Sequence, residues 1–135
     1  LQNEEQNVNV SVDWEITDGR TRIAWANETD ATRDGAYACA LAAVELLCDM
    51  VAIRRAETLT GADYYIGRQN QPFNDFEDSL RLEVSGLDRG GDADVNKRLK
   101  NKIAQATKGR SNLPAIACVV GFRLRRIVMR FVEVK

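Results

Sequence analysis

The chain of 135 residues contains no histidine, which excludes histidine-based catalysis and histidine metal ligation. It has three cysteines, Cys39, Cys48 and Cys118, odd in number, widely spaced and set in apolar runs. That pattern predicts buried thiols in a reducing, cytoplasmic setting, not a disulfide frame or a zinc site. No apolar run approaches the roughly 20 residues that a membrane span needs. The opening Leu-Gln-Asn-Glu-Glu-Gln-Asn is polar and acidic and has no signal-peptide pattern. The absence of an initiator Met leaves room for residues upstream. There is no internal repeat, low-complexity segment or domain linker. At 44% hydrophobic and 29% charged, the composition is that of one ordinary globular domain, 1–135.

The net charge of -1 hides an asymmetry. Before Arg33, seven acids from Glu4 to Asp30 face only Arg20 and Arg22. From Lys97 onward the chain is basic, and its only acid is Glu133. Such an end suits an acidic partner, nucleic acid among them, with Lys97, Lys100, Arg125 and Arg126 as contacts. The plainer reading is a solvated surface.

Val8, Val10, Val12, Trp14 and Ile16 alternate with polar residues, Asp18-Gly19 signals a tight turn, and Ile23 and Trp25 resume the apolar face. This predicts an N-terminal β-hairpin within 1–30, with both tryptophans in the core. Asn27 to Asp30 offers caps for a long helix expected from Ala31 to about Arg55. Tyr37, Leu41, Val44, Cys48 and Val51 form one stripe on it, and Leu46, Met50 and Ile53 lie opposite. A helix apolar nearly all round is central or covered by another chain. Glu45 and Asp49 sit one turn apart on its flank. Solvation is their default role, although an acid here also has a route to a metal on the adjoining sheet.

Gly61 to Gly86 is the stretch that organises the chain. It reads as two short strands around a polar connection, with Asp63 on the first and Glu83 on the second. Leu80, Leu82 and Val84 share one face of the second strand, and Arg81, Glu83 and Ser85 share the other. Asp88 to Asp94 turns the chain into a helix over 93–107. Val95, Leu99, Ile103 and Ala106 form its buried stripe, with Arg98, Lys102 and Gln105 along one edge. Ala115 to Phe122 is an unbroken apolar run, as in a strand covered on both faces. Arg125-Arg126 turns the chain into a last strand marked by Ile127, Met129 and Phe131. The fold class is α/β, or α+β by a stricter count: a central mixed sheet flanked by two helices, with the hairpin in front.

This order over 31–135 resembles the core of the restriction-endonuclease-like, PD-(D/E)XK, superfamily. Gly61-Ala62-Asp63 sits where that family carries its Asp motif, and Glu83-Val84-Ser85 sits where it carries an acid-x-Lys triplet. The resemblance implies a magnesium-dependent nuclease site. Asp63 and Glu83 would be ligands on one sheet face beside the second helix, with Glu45 a weaker third. Magnesium takes hard oxygen ligands and often only one or two protein carboxylates. The departure is Ser85, a hydroxyl where the family has a lysine. Three alternatives follow: Lys102, Arg98 or Lys97 of the second helix supplies the cation; the chain keeps the fold and has lost catalysis; or the fold differs and Glu83 is an exposed charge on an edge strand. A non-catalytic interaction module, either a homo-oligomer or a subunit bound to a protein partner, is the second functional class, favoured by the all-round apolar helix and by the hairpin edge.

Overall fold

A computed structural model of the chain describes residues 8–9, 11, 28–55, 63–69, 79–108 and 113–133. Of the N-terminal hairpin expected within 1–30, Val8, Asn9 and Ser11 are described, all exposed and outside any strand, with Val8 not on a buried face; the rest of the hairpin lies outside the described residues, as do Pro72, Phe73 and Phe76 of the polar connection. Helix α1 (Glu28–Cys48) leads into strands β1 (Met50–Arg55), β2 (Tyr64–Arg68) and β3 (Leu80–Leu87). Helix α2 (Asp92–Lys108) then precedes β4 (Ala115–Gly121) and β5 (Arg126–Val132). The five strands form one mixed sheet in the order β1-β2-β3-β4-β5, flanked by two helices, an α+β arrangement. Only β3 and β4 run parallel, which requires a crossover, and α2 supplies it.

The first helix is shorter than its composition suggests. It stops at Cys48, and Asp49 takes a left-handed conformation with φ 54°. Aspartate is one of the few residues with a side chain that tolerates that region at a helix end. Met50, Val51 and Ile53, expected on the helix, instead form β1 at the sheet edge. The register of β1 against β2 slips between Ala52 and Arg54. The helix therefore has one buried stripe, Ala36, Ala40, Ala43 and Val44, its far side reduces to Leu46, 66% exposed, and Leu47 continues the stripe at the helix end, 47% exposed.

The helices cover opposite faces. On one, Ala36, Ala40 and Val44 of α1 pack on Ile66, Leu82, Val84, Ile116, Cys118 and Val120. On the other, Val95, Leu99 and Ala106 of α2 pack on Ala115, Ala117, Val119 and Val132. Every residue of β4 is buried, as its apolar run implies. The start of α2 is well determined. Asp94 accepts a hydrogen bond from the Gly91 backbone N–H at 2.9 Å, the side-chain-to-backbone half of a capping box. Asp92 and Asp94 in its first turn and Lys108 in its last complement the helix dipole.

Gly86 lies inside β3, one residue before its end. A Cβ there would stand 2.8 Å from the Ala36 Cβ and 2.9 Å from the Thr32 carbonyl oxygen, so α1 rests directly on the strand backbone. Gly86→Ala is expected to destabilise the fold by about 1–3 kcal/mol, the usual cost of overpacking. Urea unfolding of the two proteins measures it, and equal midpoints would show that α1 does not sit this close.

Candidate functional site

Strand parity puts Arg81, Glu83 and Ser85 on the α2 face of β3. All three are buried, although each is polar. Glu83 is 1% exposed and lies on a central strand, so the reading of an exposed charge on an edge strand is incorrect. Neither Glu83 carboxylate oxygen has a hydrogen-bond partner. The nearest cation is Arg81, fully buried, with Nη1 3.8 Å from Glu83 Oε1: an ion pair without a hydrogen bond. The rest of that guanidinium is engaged. Nε donates to the Leu113 carbonyl at 3.0 Å and Nη2 to the Ala106 carbonyl at 2.9 Å. Ala106 is in the last turn of α2, where carbonyls lack helical partners and a cation is favoured.

Asp63 stands just before β2. Tyr64 pairs with Leu82, so the antiparallel register sets Asp63 opposite Glu83. Its backbone N–H donates to the Leu82 carbonyl at 3.0 Å. Its carboxylate is held from the α1 side: Oδ2 accepts from the Val84 N–H at 2.6 Å, and Oδ1 from the Tyr37 hydroxyl at 3.1 Å. Expected on one face beside the second helix, the two acids are thus held from different layers, Asp63 by α1 and by the β3 backbone, Glu83 under α2. They still sense each other. Burial, and then the Asp63 charge, push Glu83 from its ordinary 4.5 up to about 7, against the opposing pull of Lys102 and Arg81. Burial and the same Asp63 charge push Tyr37 up to about 12, so it stays a hydroxyl donor. Tyr37 also packs edge-on against Tyr64, with ring centroids 5.4 Å apart, and lies under the Arg55 guanidinium at 5.8 Å.

The cations of α2 divide. Arg98 is partly buried and donates from Nη1 to Ser85 Oγ at 2.7 Å, which sets a guanidinium at the end of the Glu83-Val84-Ser85 triplet. Lys102, one turn further on, is partly buried and acts on Glu83. Lys97 and Lys100 face solvent. Arg125 is exposed in the β4–β5 turn with φ 53°, and Arg126 pairs with Asp92 at 2.7 Å. Glu45 is exposed on α1, about 12 Å along the axis from Tyr37 by helical rise. It does not join the acids: among the described residues, no three His, Cys, Asp or Glu side chains group as a metal ligand set. A cavity of about 600 Å³ lined by Cys48, Asp49, Met50, Arg68 and Gln69 lies at the far end of β2, roughly 17 Å from Asp63 by strand rise.

Two residues of the site went unread in the sequence. Tyr37 looked like one more member of an apolar stripe. Arg81 was placed on the Glu83 face but given no role; its position two residues before Glu83 on that face was the available signal. No family model, curated protein or solved structure matches the chain.

Glu83 makes stability depend on pH. The folded protein binds a proton there that the unfolded chain releases near 4.5, so this contribution is present in full below about 4.5 and is lost as pH rises through about 7. Glu83→Gln removes it. Its stability relative to wild type is expected to rise from pH 5 to about pH 7 and then level off in urea unfolding. A difference independent of pH would show that Glu83 ionises as it does in the unfolded chain.

Proposed function

We propose that this chain is a nucleic-acid-associated module with the layout of the PD-(D/E)XK nucleases, cytoplasmic, with weak or lost metal-dependent phosphodiesterase activity. The observation that carries the reading is the buried Glu83 carboxylate, both oxygens unpartnered, set opposite Asp63 on the neighbouring strand. The order helix, three strands, helix, two strands around a mixed sheet supports it. So do the three free thiols, for the cytoplasmic setting. Among the described residues, no helix is long and apolar enough to cross a membrane.

Two carboxylates are a donor set that suits magnesium, which is often held by one or two such ligands and water, and here one would reach it from the α1 side and the other from under α2. Glu83 has both oxygens to offer, while Asp63 has lone pairs beyond those used by Val84 and Tyr37. When bound there, magnesium supplies Lewis-acid polarisation of a phosphodiester and a more acidic water. Asp63 is oriented for this by Tyr37, and Arg98 stands on Ser85 where the family has its lysine. A guanidinium does not deprotonate and is no substitute for an amine in activating water, which is why the activity is weak or lost. Lys97, Lys100, Arg125 and Arg126 are the contacts for nucleic acid. A second reading, a non-catalytic homo-oligomer or a subunit bound to a protein partner, rests on Leu46 and Leu47, both exposed on α1.

The test combines binding and cleavage. Wild type is expected to bind Mn²⁺, and Glu83→Gln to bind it at least tenfold more weakly. Cleavage of single-stranded and duplex DNA and RNA should be slow or undetectable in Mg²⁺ or Mn²⁺. Robust cleavage that vanishes in Glu83→Ala and falls in Arg98→Ala would make the chain an active nuclease with a relocated cation. Absence of both metal binding and cleavage would remove the site.

Nucleic-acid binding is expected to weaken steeply with salt, because each neutralised phosphate releases a counterion. Arg125→Glu with Arg126→Glu should weaken it further. No binding to any of the four substrates at low salt would leave the basic end as ordinary surface or a protein contact.

A further inference from the structure

We propose that Arg81 is a resident competitor of the metal at Glu83, a fixed internal counterion that holds the divalent affinity of the acid pair down. The inference rests on the reading of Asp63 and Glu83 as ligands and adds a residue that sets how tightly they bind. Three polar atoms without hydrogen-bond partners are buried in this one place: Arg81 Nη1, Glu83 Oε1 and Glu83 Oε2. Arg81 Nη1 stands 3.8 Å from Oε1, too far for a hydrogen bond. It is held back there because Nε and Nη2 are bonded to the carbonyls of Leu113 and Ala106. The guanidinium therefore faces Glu83 through space, adding to the pull of Lys102, and leaves the carboxylate oxygens open.

A divalent cation taking those oxygens meets the charge of Arg81 at close range in a site shielded from water. Arg81 is fully buried, so solvent does little to screen that repulsion. The other charges facing Glu83 are Asp63 from just before β2 and Lys102 from α2, with Arg98 on Ser85 beyond. Lys102 is partly exposed and has a long stem free to turn outward, and Arg98, also partly exposed, is bonded to Ser85. Arg81, tied to two carbonyls, has no such freedom.

The experiment is Mn²⁺ binding by electron paramagnetic resonance at pH 8 for wild type, Arg81→Met and Arg81→Lys, with circular dichroism as the check on folding. Arg81→Met is expected to bind Mn²⁺ about tenfold or more tightly than wild type, because a buried repulsion is removed. Arg81→Lys keeps the charge and should stay within about threefold of wild type. Equal affinity in wild type and Arg81→Met overturns the competitor role and leaves the acid pair standing. No binding by any of the three overturns both.

Arg81→Met leaves two carbonyls without a donor, so a measurement on wild type runs in parallel. Mg²⁺ is titrated while the Arg81 Nε–Hε signal and the Val84 amide signal are followed by NMR. Both are expected to shift with one saturation curve, since Val84 reports on Asp63. A shift at Val84 with Arg81 unmoved overturns the competitor role alone, and no shift at either overturns both.

Discussion

The rest of the molecule is arranged around a buried guanidinium that has three obligations and can meet only two of them fully. Arg81 bonds the last turn of α2 at Ala106 and the end of the α2–β4 connection at Leu113, while the Arg81 backbone N–H donates to the Pro114 carbonyl at 2.9 Å. These contacts fix where α2 ends and where β4 begins, and with them the parallel pairing of β3 and β4. The third obligation, Glu83, receives charge but no hydrogen bond. Two buried ions without a hydrogen bond between them gain less than they lose in hydration, and losing either partner alone is worse still. Such an arrangement adds little to stability; its effect is to keep a carboxylate open in the interior.

β3 shows how the chain accommodates this. A parallel strand covered on both faces ordinarily reads as a continuous apolar run, as β4 does. β3 does so on one face only. Its α1 side is apolar and so tightly packed that Gly86 has no room for a side chain. Its α2 side carries Arg81, Glu83 and Ser85, and α2 meets them with Ala106, Arg98 and Lys102. The polar residues of one strand and the cations of one helix are thus two halves of a single buried contact.

Much of this was legible in the sequence, for a physical reason. The period-two alternation of β3, the apolar stripe of α2 and the unbroken run of β4 are local patterns, and local patterns survive without a partner in view. The end of α1 was not legible. Neither Gly nor Pro marks Asp49, and Met50-Val51-Ala52-Ile53 continues the apolar spacing of the helix without a break. The site contacts were hidden for the opposite reason. Tyr37 meets a partner 26 residues away, and Arg81 meets partners 25 and 32 residues away. No spacing rule within one element reaches that far. Glu45 failed as a ligand because a helix position chosen for its charge says nothing about the distance to the sheet.

Ser85 is where these constraints meet. A lysine there would bring its charge on the same strand as Glu83, placed by strand register alone. Instead the charge comes from Arg98, and its position depends on how α2 lies over the sheet. That placement is set at one end by the Asp92 bond to Arg126 of β5 and at the other by the Arg81 bond to Ala106. The cation beside the acid pair is therefore only as well placed as the helix, and the helix is held by the residue that also faces Glu83. Anything that pulls Arg81 toward or away from Glu83 acts on both Ala106 and Arg98, so charge at the acid pair and the seating of α2 are coupled through one side chain. A lysine in the triplet would have separated the two; a serine bonded to an arginine on the helix joins them.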